Sequence, residues 1–205
     1  MRTGRPRQFD RNLAVQQAMH LFWQNGYEST SLTQLKAAIG QGITAPSFYA
    51  AFGSKEALFK ETVSCYMNSH GRVTEPLWDK TLSAREAVER TLRQSARMQC
   101  EQTHPPGCMV ALGVMSACSQ ENQQVMKVFE DSRNHNRQGL KACITRAIED
   151  GELLSSTDIA GLTALFDSFL LGISTLVRDG VTLDAIEAGI TQVMKLWDVN
   201  KQTYG

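Results

Sequence analysis

The segment spanning residues 44–60, TAPSFYAAFGSKEALFK, gathers hydroxyls, a phenol and a cation at helical spacing. Thr44 and Ser47 bracket Ala45 and Pro46, Tyr49 follows Ser47 by two, and Lys55 stands just past a Gly-Ser pair. A helix N-terminus carries unpaired N–H donors and the positive end of the helix dipole, so hydroxyls placed there suit an anion such as phosphate. A phenol on the helix flank and an ammonium opening the next helix would extend that contact along a phosphate backbone. Ahead of them Arg2, Arg5 and Arg7 form a basic arm around GRPR, suited to a neighbouring phosphate or an A·T-rich minor groove. Each residue also has a plainer role: Thr44 and Ser47 are good caps in any protein, Tyr49 can be half-buried core, and Lys55 a solvated lysine.

A second group, Cys100, His104 and Cys108, recurs every four residues with Met109 beside it. Soft donors of this kind suit copper(I), and a thiol of low pKa suits redox sensing, for which Cys108 within PGCM is the candidate. Cys108 and His104 could also act as nucleophile and base of an enzyme. Against these readings, Pro105-Pro106 breaks the helical register, buried cysteine is common core filler, and no third orienting group stands at a recognisable spacing. The expectation is therefore a non-enzyme with no cofactor and no metal.

The elements that must position these residues are all helical. Ala14, Ala18, Leu21 and Phe22 recur at helical spacing after Asp10, a natural N-cap, and Asn25-Gly26 stops that helix. Thr30 or Ser31 caps a second helix holding Leu32, Leu35 and Ile39; residues 40–42, GQG, must turn. Thr44 caps a third, with Pro46 in its first turn where a missing N–H costs nothing, and Ser54 caps a fourth running to about His70. Three short helices with a glycine turn between the second and third compose a helix-turn-helix, with Leu21, Phe22, Leu32, Leu35, Phe48 and Phe52 as its small core. Beyond them, Ser83 with Glu86 reads as a capping box opening a helix to Cys100. CMVALGVMSAC follows as an apolar helix, then a long one from about Asn122 to Asp150, and two more from Asp158 to about Arg178 and from Leu183 to about Trp197.

The chain's 205 residues are electrically neutral overall, yet residues 1–60 hold seven basic and only three acidic side chains. A basic head on an acidic body points to an anionic partner for the head. Five widely spaced cysteines without C-x-x-C indicate a reducing compartment. The N-terminus lacks a signal peptide's apolar segment, and the run LTALFDSFLLGISTLV, broken by Asp167, reads as too short to span a bilayer. Together these features indicate a cytoplasmic protein with no membrane partner.

The series FW-x-x-GY-x-x-TSL, from Phe22 to Leu32, followed by ITAPSFYAAFGSKEALF, from Ile43 to Phe59, resembles the DNA-binding head of the TetR/AcrR family of repressors. PPGCMVALG and GEL, further on, are similar to parts of some members' effector domains. The resemblance implies an all-α protein: a helix-turn-helix DNA-binding domain at 1–53, and a larger effector-binding and dimerisation domain at 54–205. It also implies a repressor that is a homodimer through its last two helices, binds a palindromic operator in double-stranded DNA, and answers to a small-molecule effector. Carried onto this chain, the family's DNA contacts fall on Thr30, Ser31, Thr44, Ala45, Pro46, Ser47, Tyr49 and Lys55; the Arg5 arm joins them from its composition. The turn Gly40-Gln41-Gly42-Ile43 is longer than the family's common form. Ala45 and Pro46 cannot make the bidentate hydrogen bonds that identify guanine or adenine, so thymine methyls, the arm and DNA shape are expected to carry much of the readout.

In the body, the helix from Asp158 combines a broad apolar face with a flank of small residues, Gly161, Ala164, Ser168, Gly172 and Thr175, that permits close approach of a partner helix. The inward phase of the long helix passes through Val125, Phe129, Ser132, Asn136, Leu140, Cys143 and Ala147, so Ser132 and Asn136 interrupt an apolar stripe. Such groups orient a ligand in a mostly apolar pocket. Phe129, Met98, Met109 and Met115 are the candidate apolar lining, methionine being adaptable in shape. An adaptor that binds protein through its head is the remaining alternative.

Overall fold

The computed structural model describes residues 10–115 and 119–201, apart from the side chains of residues 114, 115 and 121. The Arg5 arm, Cys118 and the side chain of Met115 lie outside this description. Among the described residues the protein is helical and without strands: α1 (Arg11–Asn25), α2 (Leu32–Ala38), α3 (Ala45–Phe52), α4 (Lys55–Met67), α5 (Ala84–Cys100), α6 (Met109–Met115), α7 (Gln123–Glu149), α8 (Ile159–Arg178) and α9 (Leu183–Val199).

The caps set the boundaries of the head. Asp10 accepts from the N–H groups of Asn12 and Leu13, and Gly26, at φ 79°, ends α1. Ser31, rather than Thr30, caps α2, and Gln34 returns the bond to close a reciprocal capping box. The long turn is compact: Gly40, Gln41 and Gly42 have φ of 58°, 68° and 103° in succession. Its ends are tied down, with Gly40 N–H donating to Gln17 Oε1 at 3.0 Å and Ile43 N–H to the Lys36 carbonyl at 2.9 Å. The extra length is thereby absorbed in a fixed bend, and α3 starts where Thr44 caps it.

Two apolar cores follow. The first joins α1–α4 to the body: Phe22, Trp23, Leu35, Ile39, Phe48, Phe59 and Tyr66 pack with Met98, Met109 and Phe129. The second lies among α5, α7, α8 and α9, around Leu92, Leu140, Ile144, Phe166, Ile190 and Trp197. α4 therefore belongs mechanically to the head as much as to the body.

Two expectations change. The fourth helix ends at Met67 instead of running on to His70, and a 3-10 segment, His70–Trp78, takes over with Pro76, which has no N–H to give an α-helix, inside it. That segment packs Leu77 and Trp78 against Gly139 of α7, where a Cβ would stand 2.9 Å from Leu77 Cβ. The apolar run judged too short for a bilayer forms the 20-residue α8, long and apolar enough by length and composition to cross one. Its buried face nonetheless carries Thr163, Ser174 and Asp167, the last paired with Arg137 at 2.8 Å, which is the pattern of a core helix.

Candidate nucleic-acid interface and effector cavity

α3 has only eight residues, so its own hydrogen bonds hold it weakly and its anchors decide its position. Phe48 is fully buried and Phe52 nearly so, fixing one face inward. The opposite face must then point out. Thr44, Pro46, Ser47 and Tyr49 are exposed, Tyr49 to 51%, with Ala45 half-buried at the helix start. Thr44 Oγ1 accepts from Ser47 N–H at 3.3 Å and lies 2.9 Å from Ser47 Oγ, so the two hydroxyls form one polar tip at the N-terminus. The Tyr49 ring stands edge-on to Phe48 at 5.6 Å.

Ser31, the N-cap of α2, is exposed as well. Lys55 is half-buried, its ammonium 4.3 Å from the centre of the Tyr27 ring. Burial lowers its pKa, and the neighbouring Glu28 carboxylate partly restores it. Thr30 departs from its expected role. It is wholly buried and donates its hydroxyl to the Gly26 carbonyl at 2.7 Å, so it braces the α1–α2 turn and has no free group to offer a phosphate. Arg11 is also engaged within the fold, forming an ion pair with Glu61 of α4.

In the body, Met98, Ser132, Asn136 and Cys108 converge on one cavity of ≈ 30 Å³ beneath the 3-10 segment, bounded also by Met67, Val110 and Leu170. Met109 and Phe129 lie outside it; they belong to the core joining head and body, where Phe129 meets Phe59 edge-on at 5.5 Å. Sequence reasoning missed Ser95, Gln99, Arg133 and Asp167 in the lining. The signal for the first two was available: Thr91, Ser95 and Gln99 recur every four residues on the buried face of α5. Asp167 had been noticed only as an interruption of the apolar run.

Buried hydrogen bonds connect this cavity to the head. Gln99 Nε2 donates to Ser95 Oγ at 2.9 Å, Ser174 Oγ donates to Gln99 Oε1 at 2.7 Å, and Cys108 N–H donates to Ser174 Oγ at 3.3 Å. One residue earlier, the Gly107 carbonyl accepts from the Trp23 indole of α1 at 3.1 Å. Arg178, at the end of α8, donates to the Pro106 carbonyl at 2.9 Å and to the Trp23 carbonyl at 3.3 Å. Trp23 in turn stacks on His104 at 4.5 Å, with His70 and His20 around it. Burial, and then the proximity of His104, hold the pKa values of His20 and His70 below the ordinary imidazole range.

The Cys100, His104 and Cys108 group does not assemble as a ligand set or a dyad. His104 uses Nδ1 on the Pro105 carbonyl at 2.9 Å, whereas Cys108 Sγ accepts from the Tyr66 hydroxyl at 3.1 Å. Among the described residues no cluster of three or more His, Cys, Asp or Glu is gathered as a metal would require.

Comparison with known proteins matches residues 14–62 to the family described as bacterial regulatory proteins, tetR family. The transcriptional repressor ComR of Escherichia coli (strain K12) is 27% identical over 195 residues, covering 95% of this chain and 91% of ComR. A solved structure of a cysteine mutant of the TetR family regulator CifR, complexed with 26bp double-strand operator DNA, is 35% identical. It superimposes with a TM-score of 0.84 over 95% of this chain and 100% of that one. A putative TetR regulator from Rhodococcus sp. RHA1 is 30% identical with a TM-score of 0.60, over 93% of this chain and 98% of its own. With a capped third helix in the head, one core joining head to body, a second within the body and a likeness that runs nearly end to end, the chain belongs to the TetR family of bacterial transcriptional regulators.

Proposed function

We propose that the protein is a transcriptional repressor that binds a palindromic operator as a homodimer and is released from it by a small-molecule effector. The observation that carries this reading is the exposed N-terminal half of α3, where Thr44, Ser47 and Tyr49 stand out while Phe48 and Phe52 clamp the helix from behind; Ser31 and Lys55 are assigned with them as phosphate contacts. Phosphate contacts from such groups fix register on the duplex. With Ala45 and Pro46 at the tip, base readout relies on apolar contact with thymine methyls and on DNA shape. The likeness to a regulator solved on its operator supports this docking.

Residues 1–53 serve DNA binding, and 54–205 effector binding and dimerisation. α8 and α9 expose Leu176, Leu196 and Val199, apolar groups suited to pairing with a second copy. Two recognition helices about 34 Å apart then address successive turns of one face of the duplex. The cavity under the 3-10 segment receives the effector, which acts by binding the DNA-incompetent arrangement more tightly. The protein works in the cytoplasm as a regulator; Cys108 and His104 are turned to different partners and do not form a nucleophile–base pair.

A binding selection from random duplex DNA, repeated with Tyr49→Phe, tests the reading. Enrichment of a palindrome, with affinity reduced evenly across sequences in the variant, is the expected result. Absence of any enriched sequence at low salt would refute it and favour a protein-binding head.

A further inference from the structure

Among the cavity's lining residues, the charged ones do not balance. Asp167 is satisfied: its carboxylate accepts from Arg137 Nε at 2.8 Å. Arg133 is not. Its guanidinium makes one long hydrogen bond, Nη1 to the Val110 carbonyl at 3.4 Å, and among the described residues no carboxylate pairs with it. Burial, and after it the neighbouring Arg137, depress its pKa, against Glu130 and Asp167, which act in the opposite sense. One turn along the same helix, Asn136 Oδ1 is buried with no hydrogen-bond partner among the described residues. A buried unpaired acceptor is a standing cost, removed when a ligand supplies a donor.

These two groups discriminate among ligand classes. A cation entering the cavity would meet Arg133 with Asp167 already neutralised by Arg137. A neutral apolar molecule would strip water from Arg133 and leave its charge unpaired. An anion reverses that balance, and a carboxylate matches the two-pronged guanidinium. The remaining lining, Met67, Met98, Val110 and Leu170, is apolar and calls for a hydrocarbon part. The cavity of ≈ 30 Å³ has room for about one water, so a ligand must displace side chains to enter. Met67 and Met98, unbranched and flexible, can yield.

We infer that the effector is a small organic acid whose carboxylate seats on Arg133, whose hydroxyl or N–H donates to Asn136 Oδ1, and whose hydrocarbon part lies between Met67, Met98 and Leu170. This deepens the reading of the cavity as an effector site and rests on it.

The test is calorimetric titration of the full chain with butanoate, hexanoate, octanoate and a hydroxyhexanoate, each beside its amide and the corresponding alkylamine. Release of the selected operator is followed in parallel by fluorescence anisotropy. The acids bind about tenfold or more tightly than their amides and amines, as loss of a charge-assisted contact dictates, and the hydroxy acid binds tightest. Arg133→Gln abolishes that preference, Arg133→Lys retains part of it, and both bind DNA as the wild type does without ligand. Amide or amine binding equal to that of the acid, or acid binding indifferent to Arg133→Gln, overturns the acid assignment and leaves the effector site standing. Binding of none of the acids overturns it as well. Tight acid binding without DNA release overturns the effector reading instead.

Discussion

Replacing Thr44 separates what the start of α3 does for the fold from what it does for DNA. Thr44 Oγ1 caps the helix through Ser47 N–H and is exposed beside Ser47 Oγ. Thr44→Ala deletes both roles. Loss of an N-cap lowers stability by about 1 kcal/mol, and loss of one hydroxyl contact to phosphate weakens operator binding by about fivefold. Thr44→Asp keeps the cap, because a carboxylate accepts the same N–H and is favoured by the helix dipole. Stability stays at or above the wild-type value. On DNA, however, a carboxylate about 4 Å from a phosphate is repelled by roughly 1 kcal/mol in a water-like dielectric. Added to the lost hydroxyl contact, that makes about 2 kcal/mol, or about 30-fold weaker binding, and the deficit shrinks as salt rises. Chemical denaturation reads the first quantity and fluorescence anisotropy with the operator reads the second. A folded Thr44→Asp protein that bound its operator as tightly as the wild type would show that this end of α3 does not face phosphate.

Gly139→Ala gains helix propensity of about 1 kcal/mol but places a Cβ 2.9 Å from Leu77 Cβ and 3.2 Å from the Trp78 ring; overpacking of about 1–3 kcal/mol outweighs the gain, so the urea midpoint falls. Acidification also destabilises the protein. The folded-state pKa values of His20 and His70 lie below 6.5, the unfolded chain takes up protons first, and stability that is complete above about pH 6.5 declines below it; thermal melts across that range show the slope, and His20→Gln reduces it. Leu196→Glu, in the exposed apolar set of α8 and α9, yields a monomer in sedimentation equilibrium. It weakens operator binding by about 100-fold, because the second half-site is no longer bound from the same particle.

The head was legible because its boundaries are written in single residues. Asp10, Ser31, Thr44 and Ser54 each cap a helix through their own side chain, and Gly26 and Gly53 adopt φ values that most residues resist. Apolar spacing also placed Ser132 and Asn136 inward on α7, since a 27-residue helix repeats its phase enough times to be unambiguous. What was not legible depended on packing between distant segments. Thr30 and Ser31 are adjacent and both good caps, and only the fold decides that one hydroxyl goes to Gly26 and the other to Gln34. The 3-10 segment has no period of its own to read, yet its buried Leu77 and exposed Trp78 both lie against Gly139, more than sixty positions away. Arg133 stands one position beyond Ser132 of the stripe, where helical phase alone does not point it inward, and its place in the cavity follows from how α6 and α8 close around α7.

The peptide from Pro106 to Cys108 holds Arg178 and Trp23 by consecutive carbonyls, then presents its next side chain to the cavity. A genetic screen for variants that no longer respond to inducer would therefore return two phenotypes from three neighbouring codons. Substitutions at Cys108 would blunt detection, whereas those at Gly107, which stands at φ 85° with Leu112 Cδ1 2.9 Å from where its Cβ would be, would loosen the head itself. Sensing and structural integrity are encoded side by side there, so this stretch has little freedom to drift even if the ligand the lineage recognises were to change.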